Sequence, residues 1–581
     1  MQKKWLIKDA PDSVAVTQLQ QDLGVSRIVA EMLVQRGITE FEAAKAFFRP
    51  SLDDLHDPFL MKDMENAVAR LQKAHKKQEK VLIYGDYDVD GTTAVALVYG
   101  CLKEFFREIE YYIPDRYKEG YGVSETGVRY ANENGFDLII TLDCGIKAHK
   151  VVDLGNEFGI DFIICDHHTP GDELPKAIVL DPKRSDCEYP YKELSGAGVG
   201  FKLLSAFFDK EKLDQKILHE QLDLLAISIG ADIVPITGEN RVLCALGLEL
   251  LNKRPRLGID KLLKFAKKER PLTLTNVVFI IAPRINAAGR MGDAKNAVEL
   301  LLTTDSVAGK QMAKEIHESN EVRRGIDETI TEEALAQIEA SPDHAEMCTN
   351  VVFEKGWHKG VIGIVASRII ETHYKPTIVF TQTEEGAPLT GSVRSVKGVN
   401  IYDVLNECED LIEQFGGHYY AAGLSISPEN FPAFKAKFNE VVANTIGNET
   451  LIPEQILEGA LTFDEIFPIG EQLSGVPRIK RILSQFEPHG PGNMKPVFIS
   501  HNVYAKDARL LKGAHLKLRL YQPDCRATID AILFNRPDAY ELAISGQPLS
   551  VAYTMEINEW QGRSSLQLML KDIRPEAVLV S

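Results

Sequence analysis

Between residues 80 and 235 short apolar runs alternate with helix-length segments. The runs "VLIY" (81–84), "DLIITL" (137–142), "DFIIC" (161–165) and "AIVL" (177–180) are each separated by a helix-sized stretch. Strands spaced in this way predict a parallel sheet joined by right-handed crossovers. Polar residues cluster where the runs end. Asp86, Asp88 and Asp90 follow the first, Asp143 the second, and Asp166-His167-His168 the third. In open α/β sheets ligands sit outside the carboxyl ends of strands, so these clusters are expected to converge in one crevice.

Further along, residues 306–340 contain no Pro and are rich in Glu, Lys and Ala, which predicts one long connecting helix. A second α/β unit follows, with strand "TNVVFE" (349–354), helix "GVIGIVASRIIETH" (360–373), strand "PTIVFT" (376–381) and a glycine-rich stretch "GGHYYAAG" (416–423). Beyond about 455 the pattern becomes short β-like runs such as "PVFISHNVYA", "AHLKLRLY" and "RATIDAILF", the signature of a small barrel of the OB kind. The expected fold class is α/β: two α/β domains joined by a long helix, plus a C-terminal OB-like barrel. The expected divisions are 1–60 (helical and polar), 61–305, 306–340, 341–454 and 455–581.

Composition narrows the classes. The chain has 581 residues, 44% hydrophobic and 26% charged, as in folded globular proteins. No apolar run approaches the roughly 20 residues of a membrane span, and no N-terminal apolar segment marks a signal peptide. Eight scattered cysteines include no CxxC, which argues against a disulfide framework or structural zinc and for the cytoplasm. A net charge of −18 argues against a general nucleic-acid coat and leaves room for a local basic channel. The stretch 252–270 carries eight basic residues and reads as a solvated helix face.

Three carboxylates at alternate positions repel one another when ionised. "GDYDVDG" (85–91) therefore reads either as a solvated turn or as a site for a multivalent cation. Carboxylate oxygen with imidazole nitrogen suits Mn²⁺ or Mg²⁺, and Gly91 permits a tight exit into the following helix. A calcium loop would need a Glu at its twelfth position, where Leu97 stands. Asp232, in "GADIVP", follows an apolar helix and reads by itself as a cap.

In this order, "DYDVDG" (86–91), "LDCG" (142–145), "DHH" (166–168) and "GADIVP" (230–235) resemble the motifs of the DHH phosphoesterase superfamily. "NAAGRMGDA" (286–294), "GWHKGVIGIVASR" (356–368), "GSVRS" (391–395) and "GGHYYAAG" resemble the DHH-associated domain of its exonuclease branch. The resemblance spans nearly the whole chain. It implies a single-stranded-DNA-specific 5′-to-3′ exonuclease that releases 5′-mononucleotides in DNA repair and recombination. It also implies two Mn²⁺ or Mg²⁺ ions, single-strand-binding protein as a partner, and a monomer.

The resemblance further assigns residues. Asp88 and Asp143, with Asp86 nearby, would hold one ion; Asp90, Asp143, His167 and Asp232 would hold the other. Such ions lie roughly 3.5–4 Å apart and stabilise both oxygens of an in-line displacement. Asp166 would orient a histidine, and His168 would contact the scissile phosphate. Arg368, Ser392 and Arg394 would read the 5′-phosphate, and Arg116 and Arg290 would line the strand path. His418, beside Gly416 and Gly417, would approach a nucleotide phosphate. "SGAGVG" (195–200) reads equally as a helix start that meets phosphate and as close helix packing. Two rival functions remain: a shorter-substrate phosphodiesterase or pyrophosphatase, whose relatives lack the barrel, and a non-catalytic DNA-binding scaffold, which the complete ligand set disfavours.

Overall fold

The computed structural model describes residues 3–447 and 451–576. The chain opens with strand β1 (Lys4–Ile7) and helices α1 (Ser13–Leu23), α2 (Arg27–Val34) and α3 (Phe41–Phe48). This segment is polar on its outer side only. Val16, Leu19, Val29, Met32 and Leu33 are buried in one core with Phe463, Phe486 and Phe498, more than 400 residues later.

Strands β2 (Val81–Gly85), β3 (Ile109–Tyr112), β4 (Leu138–Leu142), β5 (Asp161–Cys165) and β6 (Ile178–Leu180) form an all-parallel sheet in the order β3-β2-β4-β5-β6. Every residue of β2 and β4 is buried. Apolar clusters cover both faces, which is why these strands read as unbroken apolar runs. Counted within the sheet the order is 2-1-3-4-5, so the connections reverse direction between β2 and β4. The loops leaving those two strands diverge there and open a crevice. Helices α4 (Val89–Leu102), α5 (Gly196–Glu211), α6 (Leu222–Ala231) and α7 (Ala282–Met291) surround it.

Helix α8 (Ser306–Ala340) runs for 35 residues, about 50 Å. Its first half adds Ala313 and Ile316 to the core of the first domain. Its second half packs Ile330, Ala334 and Ile338 against Val361, Val365 and Val379 of the second. There, β7 (Asn350–Lys355), β8 (Thr377–Gln382), β9 (Leu389–Arg394), β10 (Gln414–Gly417) and β11 (Ala421–Ile426) form a mixed sheet in the order β10-β11-β9-β8-β7, with α9 (Ile362–Thr372) between β7 and β8. The stretch "GGHYYAAG" is a hairpin, β10 into β11, turning at His418–Tyr420. A β-carbon on Gly417 would collide with the Ala421 carbonyl oxygen, so this turn closes only on glycine.

Strand β12 (Glu454–Leu457) pairs in parallel with β1, tying the start of the chain to the stretch that enters the barrel. Strands β13 (Gly459–Ala460), β14 (Phe498–Leu511), β15 (His515–Tyr521), β16 (Thr528–Leu533), β17 (Leu549–Trp560) and β18 (Arg563–Pro575) form one sheet, and β14 pairs back with β17 to close it. Closure removes the exposed edges of an open sheet. Among the described residues no helix is long and apolar enough to cross a membrane, and all eight cysteines are free.

Candidate metal centre and phosphate-binding cleft

The three polar clusters meet at the divergence of β2 and β4. Asp88 caps α4 by accepting from the Gly91 amide at 3.0 Å, which folds "DYDVDG" into a turn and points Asp90 inward from the first helical turn. Gly91 is required there: a β-carbon would lie 2.6 Å from the Asp86 nitrogen. Asp143 leaves β4 in the left-handed region, at φ 60°. Across the crevice, His167 Nε2 lies 3.1 Å from Asp143 Oδ1, 3.6 Å from Asp232 Oδ2 and 3.9 Å from Asp90 Oδ2. Ligand atoms of Asp86, Asp88 and Asp143 fall within 4.8 Å of one another, as do those of Asp90, His167 and Asp232, and those of Asp143, His167 and His168. Asp232 is the residue that ends α6, as a cap would be, and it also faces this cluster.

The electrostatics fit a divalent cation. Burial and the neighbouring Asp88 push the Asp86 carboxyl up to about 8. Burial and the Asp90 and Asp88 charges do the same to Asp232, also to about 8. Asp88 and Asp143 are raised by the same two causes, burial first. Burial holds His167 below its ordinary value and so in its metal-binding neutral form. Asp86 Oδ2, Asp143 Oδ1 and both ring nitrogens of His167 are buried without a hydrogen-bond partner. Buried polar atoms are rarely left so, and a hard ion with oxygen and nitrogen ligands would satisfy them together.

Asp166 faces a different task. It accepts from the Ile146 amide at 2.9 Å and the His167 amide at 2.8 Å, and lies 2.8 Å from His168 Nδ1. Burial opposes its ionisation, but the His168 hydrogen bond and charge outweigh it and take the carboxyl down to about 2. The same contact raises His168 against the effect of its own burial. His168 Nε2 is 3.1 Å from the Tyr121 hydroxyl.

Cations from both domains lie near this cluster. Arg394 is half-buried and held below its ordinary value by desolvation; its Nη1 donates to Ser392 Oγ at 3.3 Å. A β-carbon on Gly363, in the first turn of α9, would lie 2.8 Å from Ser392 Oγ and 2.9 Å from Arg394 Nη2. A helix N-terminus, a hydroxyl and a guanidinium thus share one spot, an anion-binding arrangement. Arg290 donates to the Gly360 carbonyl at 2.7 Å, and burial with the nearby Arg116 and Arg323 lowers it to about 10. Arg116 stacks over Tyr87, between Asp86 and Asp88, at 4.9 Å. Arg368 differs from the others: its Nη2 is 2.8 Å from Asp327 on α8. His418 is exposed at its turn, and burial, Lys147 and then His168 lower it, so it faces the first domain. In the 252–270 stretch four of the eight basic residues are paired, Arg256 on Asp223, Lys264 and Arg270 on Asp260, and Lys253 on Glu249.

The start of α5, left with two readings above, meets a carboxylate. Gly196 and Ala197 amides donate to Asp90 at 2.7 and 2.9 Å, and Ser228 Oγ adds a third bond at 2.7 Å. Asp181 was missed. It follows β6 in "VLDP", fully buried, its Oδ2 without a hydrogen-bond partner among the described residues, and burial raises it to about 7. Its signal was the apolar-run-then-Asp pattern that marked Asp143.

Three family models match the chain: the DHH family N-terminal domain over residues 80–229, the DHHA1 domain over 345–444 and the RecJ OB domain over 477–572. The single-stranded-DNA-specific exonuclease RecJ of Bacillus subtilis (strain 168) is 37% identical over 571 residues, covering 98% of this chain and 70% of that protein. The RecJ of Escherichia coli (strain K12) is 32% identical over 531 residues, covering 88% and 90%. The crystal structure of RecJ in complex with Mn²⁺ from Thermus thermophilus matches with a TM-score of 0.83 at 30% identity, covering 99% of this chain and 80% of that one. The Mg²⁺ complex from the same organism matches with a TM-score of 0.78 at 28% identity, covering 99% and 79%.

Proposed function

This chain belongs to the RecJ family of single-stranded-DNA-specific exonucleases, and we propose that it removes 5′-mononucleotides from the 5′ end of single-stranded DNA in repair and recombination. One observation carries the reading. A carboxylate–imidazole cluster with unpartnered inner atoms has Arg116 and Arg290 of its own domain beside it, and the second domain adds Arg394; among the described residues none of the three arginines has an acidic partner.

Asp86, Asp88 and Asp143 would hold one Mn²⁺ or Mg²⁺, and Asp90, Asp143, His167 and Asp232 the other; bound there, the ions would supply the positive charge for water activation and for the oxygens of the displacement. The chain's own groups do the rest. Asp166 fixes His168 through Nδ1 and favours its charged form, which leaves Nε2 to donate to the scissile phosphate as it gains charge. Arg394, Ser392 and the first turn of α9, with Arg368, hold the terminal phosphate bidentately. Arg116 and Arg290 follow the strand toward the cluster, and His418 closes on it from the hairpin turn. A cleft with cations on one wall also reconciles DNA binding with a net charge of −18. The single-strand specificity of its RecJ relatives is expected here too, set by a cleft too narrow for a duplex. The barrel adds strand contacts. Its presence, with relatives matched along nearly the whole chain, disfavours the short-substrate phosphodiesterase. The same reading makes single-strand-binding protein the partner and the protein a monomer of the reducing cytoplasm, as its free cysteines suit.

The test is an assay on single-stranded DNA labelled at either end. With Mn²⁺ or Mg²⁺, label at the 5′ end is released first as mononucleotide, and Asp143→Ala abolishes release. Degradation from the 3′ end, or activity confined to dinucleotides, overturns the reading.

A further inference from the structure

Arg368 and Arg323 share one carboxylate, and it comes from the connecting helix. Asp327 has no exposed surface. Its Oδ2 lies 2.8 Å from Arg368 Nη2 and 3.5 Å from Arg323 Nη1. Arg323 Nη2 donates in turn to Asn320 Oδ1 at 3.0 Å, within the same buried face of α8. Arg323 is close enough to Arg290 for its charge to oppose protonation there. Among the described residues this ion pair is Arg368's only polar side-chain contact, and both Asp327 carboxylate oxygens are buried with no hydrogen bond that meets the geometry of one. A carboxylate buried in a helix face is destabilising unless it is fully paired. Packing does not require it here, because Ile330, Ala334 and Ile338 already fasten α8 to the second sheet.

We propose that Asp327 is the positioning residue of the terminal-phosphate pocket. It holds Arg368 at Nη2 and so fixes the plane of the guanidinium, leaving Nη1 to donate to the phosphate, and it steadies Arg323 beside the strand path. A guanidinium carries five donors in one plane, so one edge can serve the carboxylate while another serves the ligand. Holding the side chain before the substrate arrives removes an ordering cost from binding. The connecting helix therefore forms a wall of the pocket as well as the tether between domains. This inference rests on reading Arg368 and Arg394 as phosphate-binding residues.

Asp327→Asn keeps the shape and an acceptor oxygen but removes the charge. The measurement is steady-state kinetics in Mn²⁺ on single-stranded oligonucleotides bearing either a 5′-phosphate or a 5′-hydroxyl, with Arg394→Ala in parallel. The wild-type preference for the phosphorylated end should fall by about tenfold in Asp327→Asn, the size of one weakened charge-assisted hydrogen bond. The fall should come through KM for the phosphorylated strand, with kcat unchanged. A structural defect would lower both substrates together and would leave their ratio alone, and that result overturns the inference. If Arg394→Ala collapses the preference while Asp327→Asn preserves it, Asp327 has no positioning role. If wild type shows no preference, or neither variant changes it, the phosphate-pocket reading fails and takes this inference with it. Should Asp327→Asn not fold, Asp327→Glu keeps the charge but displaces it by one methylene, and the same ratio is read, with a smaller fall expected.

Discussion

Asp143 is buried, left-handed at φ 60°, and close enough to Asp90, Asp88, Asp232 and Asp86 for each to raise its pKa. Left-handed backbone costs an L-residue about 1–2 kcal/mol, and each neighbouring carboxylate adds repulsion. In metal-free protein such a residue is a source of instability retained for function. Asp143→Asn keeps the size, and Asn tolerates the left-handed backbone as well as Asp does. The variant is expected to have no nuclease activity. Its Tm in chelator should rise above wild type, by about 2–4 °C for each kcal/mol of repulsion relieved. Wild type should gain about 2.7 kcal/mol from Mn²⁺ at a hundredfold excess over Kd, and the variant should gain much less. Thermal melts with and without Mn²⁺ measure all three quantities; a lower metal-free Tm for the variant would contradict the electrostatic account.

At the level of elements, the site is built where helix starts are pressed against strand ends. A β-carbon on Gly196 would lie 2.5 Å from Asp143 Cβ and 2.8 Å from its Cα. The same turn of α5 supplies two of the three donors to Asp90. Gly196→Ala should therefore displace both carboxylates at once. Overpacking of this kind costs about 1–3 kcal/mol in stability, but Mn²⁺ affinity by calorimetry should drop at least about tenfold, because the ligand geometry moves. An affinity unchanged from wild type would mean the glycine serves packing alone. These contacts also explain what could be read in advance. The strand-end Asp and His clusters were legible because both halves of the signal, an apolar run and the polar residues ending it, are local. The helix α8 was legible for the same reason, in a stretch of 35 residues without Pro. The partner of "SGAGVG" was not, because Asp90 stands 106 positions away. Asp327 was invisible too. Its helix carries many charges, and only the packed structure shows that Asn320, Arg323 and Asp327 lie on the buried face.

Across the whole molecule, the N-terminal helices could not be placed from sequence because their apolar faces are completed by the distant barrel. Arg241 of the first domain bridges both parts of that joint unit. Arg241, 5% exposed on the helix Gly238–Lys253, has no carboxylate partner among the described residues. It donates to the carbonyls of Phe47, Gln485, Phe486 and Glu487 at 3.0–3.3 Å and stacks on the Phe47 ring at 3.7 Å. Burial lowers its pKa to about 10, which still leaves it charged near neutrality. The carbonyls it serves belong to α3 and to the segment leading into β14; together with the Ile236 amide, which donates to the Pro491 carbonyl at 2.7 Å, this fork holds the barrel against the catalytic domain. Arg241→Met keeps much of the apolar stem and strands the carbonyls, at about 1–3 kcal/mol for each that water cannot reach. The barrel with its N-terminal helices should then unfold at a lower temperature than the rest, splitting one calorimetric transition into two. Short oligonucleotides that fill only the cleft should be cut at the wild-type rate, since the metal cluster and the arginines near it are untouched. Long strands should show a raised KM, because the barrel no longer holds a fixed position along their path. A single transition with unchanged KM on long strands would mean that the β1–β12 pairing and the shared apolar core fix the barrel without Arg241.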